Sequence, residues 1–252
     1  MNPASLAHQN AISPSLTQLR ACTQVDIQNG WLSLEQGEQG EKSFLPFTFL
    51  GAAFSPYPAS LNAKGHIAWS KGKRVLWLVQ KLAIAQSLNG YPLEGLCLRL
   101  ALTWWAESAR IYVNGQLVQE GDLFDCSTRL LLSRSVTPGS EITVALQLVS
   151  PAHDDGALVR SLLLYESNDG DRLEPGFVAD ELAVLQCYLE SFTPEKLPIL
   201  AAAVAEIDWL ALPDREKFER SLLKVRSSLQ FLSPELKQRQ MQLLGHAHLD
   251  LA

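Results

Sequence analysis

From residue 66 onward, apolar and polar positions alternate with a period of two. The clearest run interleaves Leu96, Leu98, Leu100, Leu102 and Trp104 with Cys97, Arg99, Ala101 and Thr103, the pattern of a strand buried on one face. Ile67 to Trp69, Val75 to Leu82, Ile111 to Val113, Leu117-Val118 and Leu130 to Leu132 repeat the pattern in other lengths, as do Ile142 to Leu148 and Leu158 to Tyr165. Lys71-Gly72-Lys73, Asn114-Gly115 and Pro138-Gly139 separate these runs. Asn-Gly in particular suits a turn with positive φ at both central positions. Short strands with turns between them predict an antiparallel β-sandwich or jelly roll.

Upstream the pattern is looser. Pro14 to Gln24 fits a short helix with Leu16, Leu19 and Ala21 on its apolar face. Val25 to Ile27 and Trp31 to Leu34 read as strand pieces around Asn29-Gly30, a common hairpin dipeptide. Residues 35–65 read as irregular, because Gly37, Gly40, Gly51, Pro46, Pro56 and Pro58 interrupt any long element. A loop of that length is expected to wrap a surface.

Near Asn168-Asp169-Gly170 the period changes to 3.6. Leu182, Leu185, Leu189 and Phe192 predict one helical stripe. Leu197, Leu200, Val204 and Ile207 predict a second, with Thr193-Pro194-Glu195 as its cap. Phe218, Leu222, Val225, Leu229 and Leu232 form a third, and Ser233-Pro234-Glu235 caps a short last turn. Such stripes read as packed core rather than as a ligand groove. Met241 to Leu244 then reads as a buried strand. The expected organisation is an irregular N-terminal segment packing on the sandwich (1–65), a β-sandwich (66–168), a helical connector (169–240) and a terminal segment (241–252). The fold class is mainly β with α.

Composition narrows the function classes. At 252 residues, 47% hydrophobic and 19% charged, the chain is globular in character. A formal net charge of -6 argues against a sequence-independent grip on nucleic acid. No apolar run approaches the length of a membrane span. The first residues, Met1-Asn2-Pro3-Ala4-Ser5, lack the basic and apolar regions of a secretory signal. Cys22, Cys97, Cys126 and Cys187 show no paired spacing, so reduced thiols in a cytoplasmic protein are expected.

The chemistry concentrates in Gly245-His246-Ala247-His248-Leu249-Asp250-Leu251-Ala252. In a strand, His246, His248 and Asp250 project to one side, whereas a helix keeps only His246 and Asp250 on one face. Two imidazoles and a carboxylate suit zinc or another divalent cation, which needs further ligands than these.

This segment resembles the opening catalytic motif of family 38 glycoside hydrolases, the retaining class II α-mannosidases, in particular their cytosolic and vacuolar-type branch. A second region is similar to the N-terminal β-sandwich of the same enzymes. It runs from Ala109 to Glu166, and its motifs are Arg110 to Gly115, Gln119 to Asp125 and Ser150 to Ala157. The resemblance covers about two thirds of the chain in the family's order and is weakest over residues 1–65. It implies a galactose-binding-like jelly roll, a helical linker and, at 241–252, the first strand of an α/β catalytic barrel. It also implies that His248 and Asp250 ligate the metal, which holds hydroxyls of a terminal α-linked mannose. The aspartate nucleophile, the acid/base and the other ligands lie downstream in that family. The chain is therefore expected to be the N-terminal part of such an enzyme and inactive alone. A mannose-containing oligosaccharide is the expected substrate of the parent enzyme, and a homo-oligomer with contacts from this domain is compatible with the resemblance. The alternative is a non-catalytic sandwich that binds carbohydrate or mediates assembly.

His246, His153 and Asp154 are candidate neighbours of the cleft. His153-Asp154-Asp155 lies in a loop between strands, where turn chemistry is the expected role. Trp104 falls on the buried register, whereas Trp105 points to the opposite face and suits an interface. Glu94, Glu107, Glu120 and Asp122 have no spacing that marks them as paired glycosidase carboxylates. His66, at a strand start, reads as structural.

Overall fold

The structure, a computed structural model, describes residues 3–34, 56–168 and 173–238, with residues 3–10 and Leu34 described by backbone alone. Helix α1 (Pro3–Ala21) leads into strands β1 (Gln24–Asp26), β2 (Leu32–Leu34), β3 (Tyr57–Pro58), β4 (Ile67–Trp69) and β5 (Val75–Ala83). A small hairpin of β6 (Ser87–Leu88) and β7 (Tyr91–Pro92) follows. Then come β8 (Cys97–Trp105), β9 (Ser108–Val113), β10 (Gln116–Asp122), β11 (Ser127–Ser133), β12 (Glu141–Val149) and β13 (Gly156–Glu166). Helices α2 (Pro175–Phe192), α3 (Leu197–Ala205), α4 (Arg215–Leu229) and the short α5 (Ser233–Lys237) complete the described chain. None of the described helices is long and apolar enough to cross a membrane.

The strands form two antiparallel sheets. The first has the order β1-β13-β8-β11, with β4 also on β13; the second has the order β10-β9-β12-β5-β2-β3. Leu98, Leu100, Leu102 and Trp104 from β8 face Leu78, Ile111, Val144 and Leu146 of the other sheet within one buried cluster. That is the inward register expected from the alternation. Strand order bears out the mainly antiparallel sandwich with helices. From β4 onward the chain steps repeatedly between the sheets, as a jelly-roll path requires. The β9–β10 hairpin is a direct one, and Asn114 and Gly115 take φ of 47° and 79° at its turn.

Two local expectations near the N-terminus fail. Asn29-Gly30 does not make a hairpin, because β1 pairs with β13 in the first sheet and β2 with β5 in the second. The chain crosses between layers through a 3-10 turn at Gln28–Gly30, fixed by the burial of Trp31 and Gln28 in the core. Helix α1 begins well before Pro14, which sits inside it. Its buried residues Ile12, Leu16 and Leu19 recur every three to four positions, whereas Ala21 is half-buried.

The helices pack as a layer joined to the sandwich. α1 runs against α2 and α3, and α3 against α4. The stripes of α3 and α4 are buried as expected. On α2, Val178, Leu182 and Leu189 are buried, but Phe192 is 58% exposed and lies against Tyr188 at 5.0 Å. Thr193 makes no side-chain cap. Asp214 does cap α4, its carboxylate accepting from the Lys217 amide at 3.2 Å.

Candidate functional site

His246, His248 and Asp250 lie outside the described residues, as does the strand expected from Met241. In donor type, the imidazole and carboxylate groups that the sequence offers there match zinc, but they fall short of a full ligand set. Among the described residues, no group of three or more His, Cys, Asp or Glu could hold a metal ion.

His153 and Asp154 occupy the exposed connection between β12 and β13. The Asp154 carboxylate accepts from its neighbour's amide, Asp155 N, at 2.9 Å and from Trp105 Nε1 at 3.1 Å. Asp155 in turn accepts from Lys71 N at 2.9 Å, and Gly72 N donates to Pro151 O at 3.0 Å. The loop is thus pinned to the turn between β4 and β5 and to the last residue of β8. Gly156 closes it under Trp69, since a Cβ there would lie 2.3 Å from Trp69 Cζ2. Asp154 and Asp155 act as turn residues. Trp104 is buried and Trp105 is 38% exposed on the opposite face, as the alternation predicts.

The carboxylates set aside from the sequence also have structural roles. Glu107 pairs with Lys73 at 2.9 Å and Glu120 with Arg110 at 2.7 Å. Asp122 caps a turn by accepting from Phe124 N and Asp125 N. His66 N donates to Asn62 Oδ1 at 3.1 Å in the turn before β4.

A concavity with chemical character lies elsewhere, on the outer face of the first sheet. A cleft of about 950 Å³ is floored by β13, β8 and β11 and walled by the end of α1 and the first turns of α2. Strand register fixes its layout. Arg160, Thr103 and Ser127 form one row across the three strands. Leu162, Ala101 and Arg129 form the next. Glu166, only 6% exposed, holds both Arg99, at 2.9 Å, and Arg129. Arg20 on the wall pairs with Asp180 at 2.9 Å. Thr23, also lining the cleft, is 1% exposed, and its hydroxyl has no hydrogen-bond partner among the described residues.

None of these residues stood out in the sequence. Arg99 was legible as an outward position on β8, and a charged Glu166 at the end of an apolar strand was a usable signal. Arg160 was not, because a β-bulge between Leu158 and Arg160 shifts its register.

No protein-family model matches this chain, and no curated protein matches it. Among solved structures, a Bacteroides uniformis β-glucuronidase is similar at 16% identity and a TM-score of 0.41, over 57% of this chain and 18% of that one. A β-glucuronidase of an uncultured Clostridium species is similar at 11% identity and a TM-score of 0.40, over 59% of this chain and 30% of that one. One from Faecalibacterium prausnitzii is similar at 14% identity and a TM-score of 0.36, over 51% of this chain and 21% of that one. The chain thus spans less than a third of the length of each of these proteins. Similarity of this size assigns no activity.

Proposed function

We propose that this chain is the N-terminal, non-catalytic part of a metal-dependent, retaining α-mannosidase that removes terminal α-linked mannose. The observation that carries the reading is the order of parts: an antiparallel sandwich, a helical layer ending in α5 at Lys237, and then the segment that holds His248 and Asp250. The stretches that resemble family 38 mannosidases lie on the β9–β10 hairpin, the turn after β10 and the β12–β13 loop. In this reading His248 and Asp250 contribute an imidazole nitrogen and a carboxylate oxygen to a divalent cation. Once bound, the cation polarises and orients mannose hydroxyls. Reduced thiols, a cytoplasmic location and self-association through this domain belong to the same proposal.

The test compares chain 1–252 with the product of its whole reading frame on an aryl α-mannoside. The chain alone is expected to be inactive and to hold zinc weakly, because two or three ligands leave coordination open. The whole product is expected to be active and chelator-sensitive, with His248→Ala and Asp250→Ala each lowering activity by roughly 100-fold or more. Failure of the whole product to release the aryl group overturns the proposal. So does full activity in either variant.

A further inference from the structure

We infer that the outer face of the first sheet is a binding site for a carboxylate-bearing saccharide, a chain containing uronic acid units. The inference goes beyond the mannosidase reading and uses none of the residues on which that reading depends.

The cleft is built by a local irregularity. On β13, Leu158 faces the core opposite Trp104, so strict alternation would turn Arg160 inward as well. The bulge at Val159 instead sets Arg160 opposite Thr103, on the outer face. Bulges of this kind re-aim a side chain at the expense of one ladder position. The re-aimed guanidinium is exposed, and no ion pair engages it among the described residues. The carboxylate on the adjoining strand, Asp26, accepts from Gln28 N at 2.8 Å instead.

The central strand then makes room. Between Arg160 on β13 and Arg129 on β11, β8 presents only the small side chains of Ala101 and Thr103. The result is a low stretch of floor flanked by two guanidiniums. Charge favours an anion by a single unit: the guanidiniums of Arg20, Arg99, Arg129 and Arg160 stand on the cleft and its rim against the carboxylates of Glu166, Glu174 and Asp180, and no ion pair among the described residues engages Arg160. The face already accommodates one carboxylate, that of Glu166 between Arg99 and Arg129. Guanidinium forks bind carboxylates bidentately, with geometric selectivity that a lysine lacks.

The floor distinguishes the class of ligand. Ala101, Leu162 and Leu164 offer apolar contact, while Thr103 and Ser127 carry hydroxyls beside it. A sugar ring has an apolar face and a hydroxylated rim and matches both. An extended peptide would recognise a sheet by adding to an edge strand, whereas this cleft crosses the sheet's face. Its volume of about 950 Å³ falls within the range of small-ligand clefts.

The experiment is calorimetric titration of the chain with tetragalacturonate, neutral mannotetraose and hexaglutamate at low salt. Tetragalacturonate is expected to bind at least tenfold more tightly than the other two. Arg160→Ala, at an exposed position, is expected to weaken it at least tenfold with an unchanged melting temperature. Ala101→Glu, which places a carboxylate in the floor, provides a second variant and is expected to abolish binding. No binding of tetragalacturonate, equal binding of mannotetraose, or an unaffected Arg160→Ala variant would overturn the inference. Equal or tighter binding of hexaglutamate would overturn it in favour of an acidic peptide. Activity of the whole product on α-mannosides is read separately, so the two proposals can fail independently.

Discussion

The Tyr91 hydroxyl donates to Glu219 Oε1 at 2.6 Å, tying the hairpin at the base of the sandwich to helix α4. Tyr91 is fully buried and its ring meets Phe218 edge-on, with centroids 6.1 Å apart. Close by, Arg215 donates to the Glu94 carbonyl at 2.7 Å. The two layers are therefore joined by directional bonds as well as by apolar contact, which fixes how the helices sit on the sheets.

Removing that hydroxyl should be costly. Tyr91→Phe leaves the Glu219 carboxylate without its donor and is expected to destabilise the chain by about 1–2 kcal/mol, read from urea unfolding. Burial, followed by the Glu219 hydrogen bond and charge, holds the Tyr91 phenol well above the ordinary tyrosine range. The folded state thus keeps a proton that the unfolded state loses above pH about 10. The stabilisation is full below that pH and falls as pH rises, and Tyr91→Phe should flatten this alkaline limb.

Ser161 anchors a buried polar chain between the sheets. Trp31 Nε1 donates to Ser161 Oγ at 2.9 Å, Ser161 donates to Gln28 Oε1 at 2.7 Å, and Gln28 Nε2 donates to the Leu158 carbonyl at 2.7 Å. Ser161→Ala orphans the indole N–H and the amide oxygen together. The expected loss is about 2–4 kcal/mol in denaturant unfolding, since each stranded buried group costs on the order of 1–3 kcal/mol. A near-neutral result would show that water or repacking replaces the serine.

The four thiols should separate by reactivity. Cys187 is exposed, whereas Cys22 and Cys97 are buried. Burial pushes the Cys22 thiol up to about 11, so it carries almost no thiolate at neutral pH. A maleimide at pH 7 is expected to label Cys187 within minutes and Cys22 only after unfolding, as followed by peptide mass spectrometry. Early labelling of Cys22 would mean that α1 opens readily from the helical layer.

Acid should loosen the start of α4. Hydrogen bonds from the side chain and backbone of Lys217 hold the Asp214 carboxyl below the usual aspartate range. Its folded pKa is depressed, so its contribution is present above the unfolded value of about 4 and fades as pH falls through the folded one. Asp214→Asn keeps an N-cap oxygen but removes the charge, and should lessen the acid sensitivity of the helical signal between pH 5 and 2 in circular dichroism.

Periodicity by itself determined the inner faces of this protein. Leu98 to Trp104, Leu197 to Ile207 and Phe218 to Leu232 are buried where their spacing places them, because burying an apolar stripe is the dominant gain and leaves each stripe one side to turn inward. The Asn114-Gly115 turn was equally legible, being set by local backbone sterics. Tertiary structure alone decided the rest. Trp31 is drawn into the core and separates β1 from β2, against the hairpin preference of Asn29-Gly30. One extra residue at Val159 turns Arg160 outward and sets it across Thr103 and Ala101 from Arg129. Sheet pairing and bulges depend on partners far away in the chain, and a pattern of neighbours along the sequence carries no record of them.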